Sequence, residues 1–187
     1  MITGADWDTI IVGAGAAGCV LANRLTESGR HKVLVLEAGG FDNHLWIKVP
    51  AGVTRTMFDP AIGWGYENAP APETGQRAIP CPRGRVIGGS SSINGIVYIR
   101  GHALDYDAWA NSAGLQDWSY AHCLPYFRKA ETRAQGGDAY RGDAGPLHVS
   151  TGACRNPLYG AFMDAGKQAG YPYTGDMNGY QQEGLGP

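Results

Sequence analysis

The sequence predicts an α/β fold organised on parallel strands. Two apolar runs, Asp8-Thr9-Ile10-Ile11-Val12 and Lys32-Val33-Leu34-Val35-Leu36-Glu37, are short and rich in β-branched residues, as buried strands are. Between them, from about Gly15 to Ser28, Ala17, Val20, Leu21 and Leu25 share one face of a helix, and Gly29 supplies its stop. Strand, helix and strand in this order make a βαβ unit, whose right-handed crossover brings the two strands parallel. A chain of 187 residues, 43% hydrophobic and 17% charged, is long and apolar enough to build a core. Its 29 glycines are roughly twice the usual share of about 7% and follow no period, so they mark turns and close backbone approaches.

The remaining elements follow in order. From Ala38 to about Cys81 the periodicity is lost. Pro50, Pro60, Pro70, Pro72 and Pro80 punctuate this stretch. Trp46, Trp64 and Tyr66 within it favour an ordered cover over a flexible linker. The segment Gly84-Arg85-Val86-Ile87-Gly88-Gly89-Ser90-Ser91-Ser92-Ile93-Asn94 comes next, followed by the apolar run Ile96–Ile99. Asp105-Tyr106-Asp107-Ala108-Trp109 reads as an N-capped helix start, and Tyr120 to Glu131 as a second helix. Gly136-Gly137-Asp138 and Arg141-Gly142-Asp143 mark loops. Gly145 to Ser150 reads as a strand, and Pro157 to about Ala169 as a helix with Leu158, Phe162 and Ala165 on one side. There is no internal repeat.

Several classes are excluded early. A net charge of −2 and a pI near 6.2, with no basic run, argue against nucleic-acid binding. Cys19, Cys81, Cys123 and Cys154 are not spaced as a metal knuckle or a redox pair, so they read as small thiols in a reducing compartment. The N-terminus has no basic leader-like segment. The longest uncharged run, between Asp8 and Arg24, falls short of the ~20 apolar residues a spanning helix needs. The expectation is a cytoplasmic protein whose membrane contact is at most peripheral.

The chemistry begins at Gly13-Ala14-Gly15-Ala16-Ala17-Gly18, a G-x-G-x-x-G hexapeptide between a strand and a helix. The first glycine permits a tight turn, the second lets backbone approach a pyrophosphate, and the third lets helix pack on strand. Glu37 ends the second strand where an acid can bind a ribose hydroxyl, and it disfavours a 2′-phosphate. These features do not separate NAD from FAD, which share an ADP half. The Gly84–Asn94 segment is a second phosphate-compatible loop: Gly88-Gly89 allows close backbone approach, and three hydroxyls follow. Two such loops suggest one large two-part cofactor.

The second loop, continued through Tyr98, Gly101 and Asp107, resembles the first signature of the glucose–methanol–choline (GMC) family of FAD oxidoreductases. The likeness spans essentially the whole chain. It includes Glu37-Ala38-Gly39-Gly40, Trp64-Gly65-Tyr66-Glu67, Tyr98-Ile99-Arg100-Gly101, Trp118-Ser119-Tyr120, Tyr126 to Glu131, and Asn178 to Gly184. These last segments are most similar to the alcohol dehydrogenases of the family, bacterial choline-oxidising ones included.

The resemblance implies a Rossmann-like FAD-binding domain, incomplete, over 1–144, with the Pro/aromatic cover at about 41–82 inside it. The start of an α+β substrate domain would follow at 145–187. Gly13, Gly15, Ala16, Ala17 and Gly18 would hold the pyrophosphate, with Glu37 and Ala38 at the adenosine ribose. Val86, Gly89, Ser90, Asn94, Gly95 and Val97 would run along the pyrophosphate, ribityl chain and flavin ring. Some family oxidases carry a flavin-bonded histidine just before that Asn. Here the residue is Ile93, which implies non-covalent FAD.

The implied reaction is oxidation of a primary alcohol, such as choline to betaine aldehyde, by hydride transfer to flavin N5. A quinone or O2 would serve as electron acceptor. None of His31, His44, His102, His122 and His148 matches the catalytic histidine pair of the family. No catalytic residue and no metal site is therefore assigned. The likeness is still running at Pro187, so the expectation is the N-terminal part of a longer enzyme, with weak FAD affinity and no turnover alone. Three other readings stay open: a family enzyme acting on a different alcohol, a non-catalytic FAD- or nucleotide-binding module, and an NAD-dependent dehydrogenase, which fits the first fingerprint only.

Overall fold

The computed structural model describes residues 6–187. The expectation about the leader concerns mainly residues 1–5, outside that range. The chain mixes helix and strand and forms two compact units, Met1–Val97 and Tyr98–Pro187.

The first unit opens with the expected βαβ. Strand β1 (Thr9–Val12), helix α1 (Ala16–Thr26) and strand β2 (Val33–Leu36) follow in order, and β1 and β2 pair in parallel from Thr9 opposite Val33 to Val12 opposite Leu36. Gly18 sets the fit of α1 on β1: a Cβ there would collide with the Gly13 carbonyl and lie 3.3 Å from Ile11 Cγ2. The expected burial of both strands is corrected. Ile11 is buried at 7% exposure, whereas Val12 is 84% exposed, and Ile10, Leu36, Val20 and Leu21 are exposed as well. The sheet has only two strands, so most of this apolar surface has no layer against it.

The Pro-rich stretch is an ordered cover of short pieces. Single-turn helices α2 (Leu45–Lys48) and α3 (Val53–Thr56) flank a 3-10 turn at Pro50–Gly52. Strands β3 (Glu67–Asn68) and β4 (Ile79–Pro80) then pair antiparallel. His44 Nε2 lies 3.4 Å from Asp59 Oδ2, and the Arg55 guanidinium sits 4.6 Å over the Trp46 ring. Ile62, Val86 and Ile93 form a small core, with Ile47 packed against it. Gly89–Ser92 is one 3-10 turn.

The second unit contains α4 (Ala103–Ala113), α5 (Tyr120–Ala130), β5 (Glu131–Arg133), β6 (Leu147–Val149) and α6 (Pro157–Gln168). Helix α4 starts two residues before the expected Asp105. His102 Nδ1 accepts from Leu104 N at 3.2 Å, and Asp105 accepts from His102 N at 3.0 Å, so an imidazole completes a reciprocal capping box. Strands β5 and β6 pair in parallel from Glu131 opposite Leu147. The junction expected at 144/145 thus falls between two strands that pair with each other.

A charge cluster absent from the sequence expectations organises this unit. Glu131 has no exposed surface, and its side chain accepts from Arg100 Nη2 (2.7 Å), Arg141 Nε (2.7 Å), Arg141 Nη2 (3.1 Å) and Gly142 N (2.9 Å). Arg141 also donates to Asp176 Oδ1 (2.5 Å), and Arg100 Nη1 donates to Tyr140 O (2.7 Å). Burial raises the Glu131 pKa. The hydrogen bonds from Arg141 and Gly142 and the charges of Arg100 and Arg141 outweigh that, and the net position is below the ordinary glutamate value.

Two side-chain amides grip the segment beside Arg100. Asn178 accepts from Arg100 N (2.8 Å) and donates to Tyr98 O (2.8 Å). Gln182 accepts from Ala103 N (2.9 Å) and donates to Gly101 O (3.1 Å). Each amide thus does for the backbone what a neighbouring strand would do.

Candidate functional site

Both loops singled out in the sequence lie in the first unit, and the fold brings them into contact. Gly13 leaves the strand at φ +93, a region open to glycine, and its N–H continues the ladder to Leu36 O at 2.7 Å. Ala14 O accepts from Gly88 N at 2.7 Å, and Gly15 bridges Gly88. On its other side the second loop is held by the turn after β2: Ile87 N donates to Gly40 O at 2.9 Å, and Gly40 bridges Val86. A Cβ on Gly39 would strike the Arg85 carbonyl. The Gly84–Gly89 segment therefore runs between the Gly13–Gly15 turn and the Gly39–Gly40 turn, with no room for a side chain at Gly39 or Gly89.

Glu37 closes this junction. Its Oε2 accepts from Ala14 N and its Oε1 from Gly39 N, both at 2.8 Å. Each carboxylate oxygen keeps a second acceptor position, so the residue can take a ribose hydroxyl without releasing either loop.

The junction suits a dinucleotide. Helix α1 has no side-chain cap at Gly15 and no acid in its first turn, so its first-turn N–H groups face the junction without a side-chain acceptor from the helix itself. A Cβ on Gly13 or Gly15 would meet nothing within 4 Å, which leaves backbone surface open to a pyrophosphate. Ala16, Ala17 and Ala38 are exposed around it.

The flavin-side candidates separate into two groups. Val86 is fully buried, and its side chain belongs to the Ile62–Val86–Ile93 core. Ser90 Oγ accepts from Gly84 N at 3.1 Å, so this hydroxyl also closes its own loop. Asn94, Gly95 and Val97 are exposed, beyond the junction. Asn94 lines a cavity of about 240 Å³ together with Ser91, Ser92, Trp46, Lys48 and Thr56. The last three come from the cover; the sequence marked Trp46 only as part of that cover and Lys48 and Thr56 not at all, because nothing local ties them to the serine loop. At the cavity rim the Lys48 ammonium, hydrogen-bonded to Asp42 at 2.6 Å, holds the Asp42 carboxyl below its ordinary value.

Trp64 and Tyr66 stack at 5.8 Å with planes 8° apart, and Arg85 lies 5.6 Å from the Trp64 ring centre. An aromatic pair already engaged by a guanidinium fits the packing role better than an open cage for a ligand cation. Four of the five histidines have local partners: His31 with Thr9 (2.8 Å), His44 with Asp59, His102 at its cap, and His122 with Ser119 (2.7 Å). Among the described residues no metal-binding cluster occurs and no helix is long and apolar enough to cross a membrane.

Comparison with known proteins bears directly on this geometry. The family model for GMC oxidoreductase matches residues 7–187. The oxygen-dependent choline dehydrogenase of Photobacterium profundum is 55% identical over 183 residues, 97% of this chain and 32% of that protein. The mitochondrial choline dehydrogenase of Mus musculus is 52% identical over 188 residues, 97% of this chain and 31% of that protein. The chain thus spans about a third of the length of the curated relatives it matches. Among solved structures, pyridoxine 4-oxidase from Mesorbium loti superposes with a TM-score of 0.89 at 35% identity, covering 96% of this chain and 35% of that one. An FAD-dependent oxidoreductase from Chaetomium thermophilum superposes with a TM-score of 0.80 at 30% identity, covering 96% and 32%.

Proposed function

Because the chain belongs to the GMC oxidoreductase family, we propose that its first unit holds FAD and that the whole protein oxidises a primary alcohol, choline first among the candidates. In this reading residues 1–144 belong to a Rossmann-like FAD-binding domain and 145–187 begin an α+β substrate domain. The observation that carries the proposal is the junction of the two glycine loops at Gly15 and Gly88, with Glu37 tying the first loop to the Gly39–Gly40 turn that flanks the second.

When bound, FAD supplies a hydride acceptor at its flavin ring. The chain's own residues bind and orient it. Gly13, Gly15, Ala16, Ala17 and Gly18 take the pyrophosphate at the α1 N-terminus, and Glu37 with Ala38 takes the adenosine ribose. Gly89, Ser90, Asn94, Gly95 and Val97 lie along the ribityl chain and flavin. Val86 serves there through its backbone, since its side chain is in the core. Fixed backbone dipoles near the ring favour the charge it gains on reduction without having to reorganise. No residue of this chain is given the task of proton acceptor. A quinone or O2 takes the electrons in turn.

The test is turnover by the whole protein with dye as acceptor, choline against other primary alcohols. Choline-dependent reduction of bound flavin is the expected result. Flavin reduced only by another alcohol would replace the substrate, a flavin-bearing protein inert to every alcohol would favour a binding module, and a flavin-free preparation reducing NAD would sink the reading.

The flavin is held without a covalent bond. Ile93, at the position where a histidine would form one, has no nucleophilic atom and is 3% exposed against Ile62 and Val86. Acid or heat denaturation is therefore expected to release all flavin into the supernatant; yellow colour remaining on the precipitated polypeptide would contradict this.

A further inference from the structure

The segment after the serine loop has a buried residue at each end. Ile93 packs with Ile62 and Val86, and Arg100 is buried in the charge cluster of the second unit. Asn94, Gly95 and Val97, the residues given to the flavin side, lie between them in sequence. Tyr98 follows Val97 directly, so whatever fixes Tyr98 and Arg100 fixes one end of that stretch.

We propose that Asn178 is a positioning residue for the flavin: its amide sets the backbone at Tyr98 and Arg100, and through it the Asn94–Val97 stretch. The role rests on the FAD site proposed above. Asn178 is 4% exposed. Its Oδ1 accepts from Arg100 N and its Nδ2 donates to Tyr98 O, both at 2.8 Å. Serving both groups takes a side chain with an acceptor and a donor on one planar carbon, as an amide has. An aspartate would keep the bond to Arg100 N but set an oxygen against Tyr98 O. A leucine would leave both backbone groups unpaired.

Asn178 is itself located by the charge cluster. Its N–H donates at 3.0 Å to Asp176 Oδ1, the same oxygen that accepts from Arg141. Arg141 also binds Glu131, and Glu131 binds the Arg100 guanidinium. The bonds thus close a ring that runs from the Arg100 side chain through Glu131, Arg141, Asp176 and Asn178 back to the Arg100 backbone. Around it, Gly179 N donates to Asp176 O at 3.1 Å, and the Thr174 hydroxyl donates to Gln181 O at 2.7 Å. A fully satisfied buried network holds its members rigidly. Hydride transfer needs such rigidity, because a misplacement of about 1 Å caused by a distant change can cost ~100-fold in rate.

The test uses the whole FAD-loaded protein as Asn178→Asp and Asn178→Leu. Thr132→Val is the structural control, since it loses a hydroxyl bond to Gly145 O elsewhere in the same unit. Each is read by its thermal melt, by the visible spectrum and midpoint potential of the bound flavin, and by the rate of flavin reduction at saturating choline. Both Asn178 variants are expected to shift the flavin bands and potential and to slow reduction roughly 10- to 100-fold, with the KM for choline little changed. If the leucine variant fails to fold, the near-isosteric aspartate variant decides. Thr132→Val should lower the melt and leave every flavin reading as in the parent. Unmoved flavin readings in Asn178→Asp, or equal shifts in Thr132→Val, would overturn the positioning role and leave the FAD site standing. A parent protein that takes up no flavin would overturn both.

Discussion

Glu131→Ala is expected to bring the second unit to the edge of unfolding. The carboxylate has no exposed surface and neutralises two buried guanidiniums, those of Arg100 and Arg141, each with 4% or less of its side chain exposed. Removing it leaves both cations in a low-dielectric interior and orphans Gly142 N. Breaking a buried pair from one side costs about 3–5 kcal/mol, against a total stability of about 5–15 kcal/mol for a typical domain. The urea midpoint is the measurement, with Lys48→Ala as control. That residue also sits in an ion pair, but in one exposed to water, where little measurable change follows. Equal, small shifts for both variants would show that the cluster is decoration.

The same cluster sets an acid limit. Glu131 has a folded pKa below its unfolded value, so it binds a proton less readily in the native state. Its contribution to stability is full above the unfolded value, about 4.3 for a glutamate, and is lost as pH falls through the lower folded value. Asp138 adds in the same direction. Burial raises its pKa, but hydrogen bonds from Tyr140 N and Arg141 N and the charges of Arg133 and Arg141 lower it further. Stability measured by urea titration should hold from neutrality down to mild acid and then fall. In Glu131→Ala the acid-dependent loss should shrink, since one of its sources is gone.

These features divide into what local pattern can reveal and what it cannot. The β1–α1–β2 unit was legible because strand period, helix period and glycine punctuation are properties of neighbours in sequence. Burial was less so: Val12, Val20 and Leu21 carry the pattern of core residues, yet which faces are covered depends on layers that a short sheet does not provide. Glu131 closed a predicted helix, and nothing in its neighbours marked it for burial. Its burial follows from Arg100 and Arg141, whose approach depends on tertiary folding. His102 was passed over as a cap because hydroxyl and carboxylate side chains dominate that position. Each glycine loop announced itself. That Gly15 and Gly88 would touch was not written in either.

Gly89→Ala should weaken FAD binding and stability together, whereas Gly15→Ala should weaken binding alone. Gly89 sits at φ +58, and a Cβ there would come 2.9 Å from Gly15 Cα, a backbone atom that cannot swing aside. The left-handed conformation costs a non-glycine residue roughly 1–2 kcal/mol, and forcing an extra carbon into a tight contact costs about 1–3 kcal/mol. The relief open to the chain is to part the two loops, which moves the Gly88 N to Ala14 O hydrogen bond and the surface built on it. Gly15 is the informative contrast, because a Cβ there meets no protein atom within 4 Å and its φ of −72 is ordinary. The space its methyl group would enter is the space assigned to the pyrophosphate. A clash of about 1–3 kcal/mol with the ligand corresponds to roughly 5- to 150-fold in Kd. FAD titration of both variants, set beside thermal melts without cofactor, separates the cases. A lowered melt is expected for Gly89→Ala and an unchanged one for Gly15→Ala, with both binding FAD more weakly. If Gly15→Ala bound FAD as tightly as the parent, the pyrophosphate could not lie against the first loop. The meeting of the two loops would then be a packing contact of the fold.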